Sequence, residues 1–397
     1  MQLSSRLQNF AASATVAINS KVTELKAQGQ ELIALNVGEP DFDTPAYIKA
    51  AAVHALEEGF TKYTPVAGIA PLREAIARKL LRENGVSYTP QEISVSAGAK
   101  KCIFNACMAL ISPGDEVIVP TPCWVSYTEL VKLAGGVPVL VESRAEDGFA
   151  LNMEGIRSAL SSRTRAIIIC SPNNPTGTVY DEAQLRELAE IAVAHDLVVI
   201  ADEIYEKLLY DGAKHFSLAS ASPEAREHVL IINGFSKAYA MTGWRLGYAA
   251  GPQELIAAMN KLQTQTLSCV NSIAQRAGIA ALEGPQEELQ DMVEAFAARR
   301  AYLVEALQQL PRVTCAIPKG AFYLLPDISA YLGKSYQGQL IKDDIDFCRV
   351  LLEAKHVAVV PGSAFYAPGK VRLSYANSLE NLRRAMEELR SFLSELK

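Results

Sequence analysis

The sequence predicts an α/β fold, with a mostly parallel sheet in a large domain and a smaller α+β lobe beside it. Three observations carry that prediction. Over roughly residues 45–280, short apolar, β-branched runs alternate with amphipathic segments. Strands buried on both faces by crossover helices have this pattern. The alternation breaks near Glu283-Gly284-Pro285. Finally, a chain of 397 residues is too long for one simple core, so a second unit is expected.

The elements follow in order. An amphipathic helix is read over residues 13–28. Strands are read at 92–96, 116–119, 137–141, 165–170, 197–201, 229–232 and 248–250, because each is a short run rich in Val, Ile and Ala. Helices are read at 100–110 and 181–195, between consecutive strands. Past the break comes a long helix over 292–310, then strands at 320–325, 357–360 and 371–375 among helices, and a closing helix over 378–396. The N-terminal residues join this C-terminal part. The expected division is a large domain over 45–284 and a small domain from 1–44 and 285–397.

Composition removes several classes of function. The chain is 49% hydrophobic and 21% charged, as folded proteins are. Its net charge is −6 with no basic stripe, which argues against nucleic acid as a partner. No apolar run approaches the ~18–20 residues that span a bilayer, and Gln8, Asn9 and Ser13 interrupt any signal-peptide core. Cys102, Cys107, Cys123, Cys170, Cys269, Cys315 and Cys348 are odd in number, with neither a Cys-x-x-Cys pair nor a histidine cluster. They read as reduced thiols in a soluble, cytoplasmic protein without a metal site.

Open parallel sheets bind ligands beyond the carboxyl ends of their strands. Here those ends gather chemistry. Residues 92–96 are followed by Ala97-Gly98-Ala99-Lys100, opening a helix whose free N–H groups suit a phosphate. Residues 165–170 lead into Ser171-Pro172-Asn173-Asn174-Pro175-Thr176-Gly177. Asp202, Glu203 and Tyr205 follow the strand at 197–201, and Ser236, Lys237 and Arg245 follow that at 229–232. A hydroxyl and one cation are enough for a phosphate. The second cation is therefore free to act as a nucleophile toward a carbonyl, its pKa lowered by burial and cationic neighbours. Asp202 suits a protonated ring nitrogen, though a helix cap or a core-edge carboxylate would also occupy such a place. The set points to an anionic group on a polarised aromatic cofactor.

These residues resemble a known family. The Ser171–Gly177 segment, Asp202-Glu203-Ile204-Tyr205, Ser236-Lys237 with Gly243-Trp244-Arg245, and Val371-Arg372-Leu373-Ser374-Tyr375 are similar in order and spacing to the class I pyridoxal 5′-phosphate (PLP) aminotransferases. The likeness is strongest to the bacterial aspartate type and covers essentially the whole chain. It implies a fold-type-I PLP transferase with a sheet of the seven-stranded type. It also implies Lys237 as the Schiff-base lysine and proton carrier, and Asp202 on the pyridine nitrogen. Tyr205 and Asn174 would lie on the ring oxygen, and Trp124 would stack on the ring. Ala99, Lys100, Ser236 and Arg245 would hold the phosphate. Tyr63 would reach the phosphate in a partner subunit, which makes the protein a homodimer with shared sites. Arg372 would clamp the substrate α-carboxylate, with Gly38 lying against the substrate.

The resemblance further places Thr15 and Lys100 near a distal carboxylate, so aspartate and 2-oxoglutarate are the expected pair. Alanine and aromatic substrates rank behind them. Prephenate-using relatives carry a lysine near the N-terminus where Ala11 stands here, which argues against prephenate. A PLP carbon–sulfur lyase on the same fold would share Lys237, Asp202 and Arg372. A ligand sensor would need a DNA-binding module for which the residues before Pro45 leave little room. Tyr366 is read as either a pocket wall or packing, and no histidine is assigned to catalysis.

Overall fold

The computed structural model of the chain describes residues 14–397. At its centre is a seven-stranded sheet made of β1 (Ile93–Ser96), β2 (Glu116–Thr121), β3 (Val137–Glu142), β4 (Thr164–Cys170), β5 (Val198–Asp202), β6 (Val229–Gly234) and β7 (Gly247–Ala250). Their spatial order is β1-β7-β6-β5-β4-β2-β3. β7 runs antiparallel to both of its neighbours, while the pairs from β6 across to β3 are parallel. The inner strands are buried almost throughout, and only the edge strand β3 shows one face to solvent. Apolar side chains on both faces of a strand require helices on both faces of the sheet, and the connecting segments supply them.

This topology decides where chemistry can collect. The carboxyl ends of β1, β2, β4, β5 and β6 open on one edge of the sheet. Because β7 is reversed, its beginning lies on that edge too. Arg245, two residues ahead of β7, therefore arrives beside the residues that follow β1 and β6. A buried amide fixes this corner. Gln263, on the helix Gln253–Thr266, accepts from Ser96 Oγ at 2.6 Å and donates to the Val66 and Val95 carbonyls at 2.7 and 2.9 Å. A buried amide with its donors and acceptor satisfied is rigid, so the turn after Ser96 is held in place.

The C-terminal part carries the helix Glu287–Gln308 and a three-stranded antiparallel sheet, β9-β10-β8, made of β8 (Tyr323–Leu324), β9 (Val360–Pro361) and β10 (Val371–Ser374). Ile33–Ala34 pairs in parallel with Val357–Ala358, and Asn377 Nδ2 donates to the Ala34 carbonyl, so the segment ahead of residue 45 is stitched to this part. The closing helix, Leu379–Glu395, is capped by Ser378, whose hydroxyl accepts from the Asn381 amide.

Several boundaries differ from the sequence reading. The strand expected at 320–325 shrinks to Tyr323–Leu324. The amides of Lys319 and Gly320 bond the Gly177 carbonyl and that of Ala321 bonds Leu208, so this stretch is spent on loop contacts rather than on a ladder. The run at 357–360 divides between two sheets. The long helix starts at Glu287, five residues before the apolar periodicity signals it, because its first turn is acidic and suits the positive end of a helix dipole. Asp202 is the last residue of its strand rather than the first of a loop.

Gly247 pairs with Ser96 across β7 and β1, and a Cβ there would lie 2.5 Å from the Ala99 amide nitrogen and 2.6 Å from the Gly98 carbonyl carbon. Those are backbone atoms and cannot rotate aside. Gly247→Ala is expected to cost about 1–3 kcal/mol of stability by forcing the two strands apart. Denaturant unfolding measures this, and an unchanged midpoint would show that the strand pair yields to a methyl group without cost.

Candidate active site

A cavity of about 390 Å³ opens on the sheet edge where the strand ends meet, closed on its far side by β10 and residues 36–39. Its floor is Asp202, only 3% exposed at the end of β5. Both carboxylate oxygens are held. Tyr127 donates its hydroxyl to Oδ2 at 2.7 Å, and the Ile204 amide donates to Oδ1 at 3.2 Å. Burial outweighs these bonds and pushes the carboxyl up to about 6.

Lys237 enters from the loop after β6 and lines the cavity half-buried. Its Nζ donates to the Gly38 carbonyl. Burial lowers its amine to about 8; Glu39 opposes that fall, while Arg372 and Arg245 reinforce it. An amine so placed is partly neutral near physiological pH, as a nucleophile or proton acceptor must be.

A cradle for an anion lies beside it. The helix Ala99–Leu110 begins after Gly98, which has φ +88° and no side chain to cap the first amides. Arg245 folds toward this turn from a left-handed backbone (φ 52°, ψ 54°), its Nη1 donating to the Thr242 carbonyl at 2.9 Å. A Cβ on Gly98 would come within 2.6 Å of Arg245 Nη2, so only glycine admits the guanidinium so close to the helix start. Ser236, Ala99 and Lys100 line the same corner. Lys100 Nζ sits 4.6 Å from the centre of the Trp124 ring, and Trp124 forms one wall.

Opposite, Arg372 on β10 is buried, with its guanidinium fixed on three sides. Nη1 donates to Asn174 Oδ1 at 3.0 Å, Nη2 donates to the Asn36 carbonyl at 2.9 Å, and the Tyr323 ring lies 4.4 Å below. Five N–H donors with two spent leave capacity for a carboxylate in the cavity. Tyr205 shares a hydrogen bond of 2.9 Å with the Tyr323 hydroxyl.

Behind Asp202 the chain folds a second polar layer that is not part of the cavity. Glu203 and Glu206 point away from it, alternating with Asp202 and Tyr205. Lys79 bonds Glu206, Asn233 Nδ2 donates to Glu206 at 2.8 Å, Ser217 donates to Glu203 at 2.7 Å, and His215 lies 3.1 Å from Glu203. The Lys79 ammonium also lies near Glu83 and donates to Asn84 at 2.7 Å, so it is bound within this polar layer. Glu206 tethers the Asp202 turn to Asn233 at the end of β6, so the two strand ends that carry Asp202 and Lys237 share one anchor.

The structure thus gathers Gly38, Ala99, Lys100, Trp124, Asn174, Asp202, Tyr205, Ser236, Lys237, Arg245 and Arg372 around one cavity. Tyr63 is not among them; it is 92% exposed and outside its own chain's cavity. Thr15 lies in the first helix, but its side chain falls outside the described residues, as does Ala11. Tyr366 packs against Thr128, their hydroxyls 2.7 Å apart, and does not line the cavity. Sequence reasoning passed over Tyr127, Tyr323, Glu39 and Thr242, all of which line it. Tyr127 was the most findable, three residues after Trp124 in the first turn of the helix Ser126–Leu133.

A family model described as aminotransferase class I and II matches residues 30–389. The chain is 48% identical over 393 residues to a protein of Geobacillus stearothermophilus named aspartate aminotransferase, covering 99% of each. It is 49% identical over 388 residues to one of Thermus thermophilus named aspartate/prephenate aminotransferase, covering 97% of each. Among solved structures, the aspartate aminotransferase of Rhizobium meliloti superposes with a TM-score of 0.96 at 43% identity over 100% of both chains. That of Thermus thermophilus with maleate gives 0.93 at 48% identity, covering 99% of this chain and 100% of the other.

The two buried charges set a pH signature in the cofactor-free protein. The unfolded chain sheds the Asp202 proton near the ordinary value of 3.8 and the folded chain near about 6, so stability falls as pH rises through that window. Lys237 loses its proton near about 8 when folded and near 10.5 when unfolded, so stability is regained as pH rises between them. Each window has a ceiling of about 3 kcal/mol. Asp202→Asn should flatten the acid limb and Lys237→Met the alkaline limb of melting temperature against pH. Retention of both slopes would mean that neither charge is desolvated.

Proposed function

The chain belongs to the class I and II aminotransferase family, and from that premise we propose that it moves the amino group of L-aspartate reversibly to 2-oxoglutarate in two half-reactions. The observation that carries this reading is the meeting of Lys237, Asp202, Arg245 and Arg372 in one cavity, each brought there by a different strand end.

The enzymes of this family use PLP, and the donor set suits it. An uncapped helix start, a serine hydroxyl and Arg245 fit a phosphate dianion. Asp202, held by two donors and buried, fits a protonated pyridine nitrogen. Trp124 offers a flat wall, and Lys237 an amine for the aldehyde. When bound, PLP supplies that aldehyde for condensation with amines and a protonated ring that withdraws electrons from the substrate Cα.

The chain's own residues do the rest. Lys237 Nζ, lowered to about 8, would take the proton from the substrate Cα and deliver it on the far side of the amino nitrogen. Asp202 keeps its partner nitrogen protonated, because a buried carboxylate without a cation is costly. Arg372 receives the α-carboxylate as a planar fork and thereby fixes which Cα bond faces the ring. Asn174 braces that fork from the side. Lys100, exposed at the cavity rim with its Nζ beside the Trp124 ring, offers a second cation for the distal carboxylate of a dicarboxylic substrate. Several relatives are named aspartate/prephenate aminotransferases, which keeps prephenate as the second reading. The exposed Tyr63 fits a homodimer in which each subunit completes its partner's phosphate site. Among the described residues no helix is long and apolar enough to cross a membrane, and the seven cysteines are free, which suits a reducing cytoplasm.

PLP-loaded protein mixed with L-aspartate and 2-oxoglutarate should form oxaloacetate and glutamate in equal amounts; pyruvate with ammonia instead would make it a lyase. Arg372→Lys should lower kcat/KM by roughly ten- to a hundredfold while PLP stays bound, because a point charge cannot replace the fork. Lys100→Ala should weaken aspartate use by about tenfold more than alanine use. Equal losses for the two amino acids would remove Lys100 from the distal site.

A further inference from the structure

The aminotransferase reading gives Tyr205 a task on the cofactor's ring oxygen but none to Tyr323, whose hydroxyl lies 2.9 Å from that of Tyr205. The two rings meet edge to face with centroids 5.8 Å apart, and both are buried. They come from different parts of the fold. Tyr205 follows β5 of the large sheet, and Tyr323 lies on β8, which pairs with the strand that carries Arg372. Resting on that reading, we propose that Tyr323 is a positioning residue, whose hydroxyl donates to Tyr205 and so commits the single proton of Tyr205 to the ring oxygen.

The direction of the bond follows from counting. A phenol has one proton to give, and its oxygen can also accept. If Tyr205 donates to Tyr323 it has nothing left for the cofactor; if Tyr323 donates, the Tyr205 proton is free and made more acidic by the chain of bonds. The charges near the pair favour the second arrangement. The Arg372 guanidinium lies 4.4 Å from the centre of the Tyr323 ring and draws electron density from it. The other ionisable groups facing the pair are Lys237, 6.0 Å from the Tyr205 ring centre, and the buried thiol of Cys170. Gly38 is part of the device. A Cβ there would lie 2.9 Å from the Tyr323 hydroxyl, so the missing side chain is what lets that oxygen reach Tyr205.

The test uses PLP-loaded enzyme and reads the pH midpoint of the cofactor's visible absorbance change, which a donor to the ring oxygen lowers. Tyr323→Phe keeps the ring and should raise the midpoint by about half a unit to one unit. Tyr205→Phe should raise it further, and adding Tyr323→Phe to that variant should change nothing more. An unmoved or lowered midpoint in Tyr323→Phe, even with a loss of thermal stability, overturns the proposal and leaves Tyr323 a packing residue. So does a shift that persists undiminished without the Tyr205 hydroxyl. An unmoved midpoint in Tyr205→Phe is a different failure: it removes Tyr205 from the ring oxygen, and the role of Tyr323 falls with it.

Discussion

A carboxylate in the floor of an apolar sheet is the constraint on which the rest depends. Asp202 ends a strand of Val, Ile and Ala and is almost wholly withdrawn from water. Such a group ionises at neutral pH only if donors surround it, and it remains an unmet charge until a cation arrives. Tyr127 and the Ile204 amide supply the donors. The cation must come from the ligand, because Lys237 is turned toward Gly38 and Arg372 toward Asn174. The protein therefore carries a built-in demand for one cationic group at one place.

Around that demand stand three cationic centres, two near opposite ends of the connection between β6 and β7 and one on the small sheet. Arg245 is held by the turn before β7, Arg372 by the small sheet, and Lys237 by the loop after β6. Their separation gives one cavity three distinct places for the polar groups of a ligand. Burial, reinforced by the charges of Arg372 and Arg245, lowers the amine of Lys237.

Much of this was legible in the sequence, for a physical reason. Parallel strands are short and apolar, so their ends are sharply marked, and residues just past those ends are forced to one edge. Asp202, Asn174, Lys237 and the Gly98 turn were found that way. Tyr127 and Tyr323 were not, because an aromatic residue in a helix or a short strand carries the same local signal whether it faces a core or a cavity. The truncated strand at 323–324 escaped for a related reason. Its neighbours bond Gly177 and Leu208, partners more than a hundred residues away in sequence, and no local pattern encodes them.

The reversed strand has a consequence for the chain's later history. Because β7 runs back beside β6, one short crossing loop bears both Lys237 and Arg245, with Gly234 and Gly247 facing each other at its base. The Lys237 amine and the Arg245 guanidinium are thus mounted on a single bracket. Residues lost or added within that bracket would shift one grip against the other, whereas the connections between the parallel strands can grow outward without disturbing either. Diversification of such a scaffold should therefore proceed through its outer crossovers and leave this inner loop at constant length.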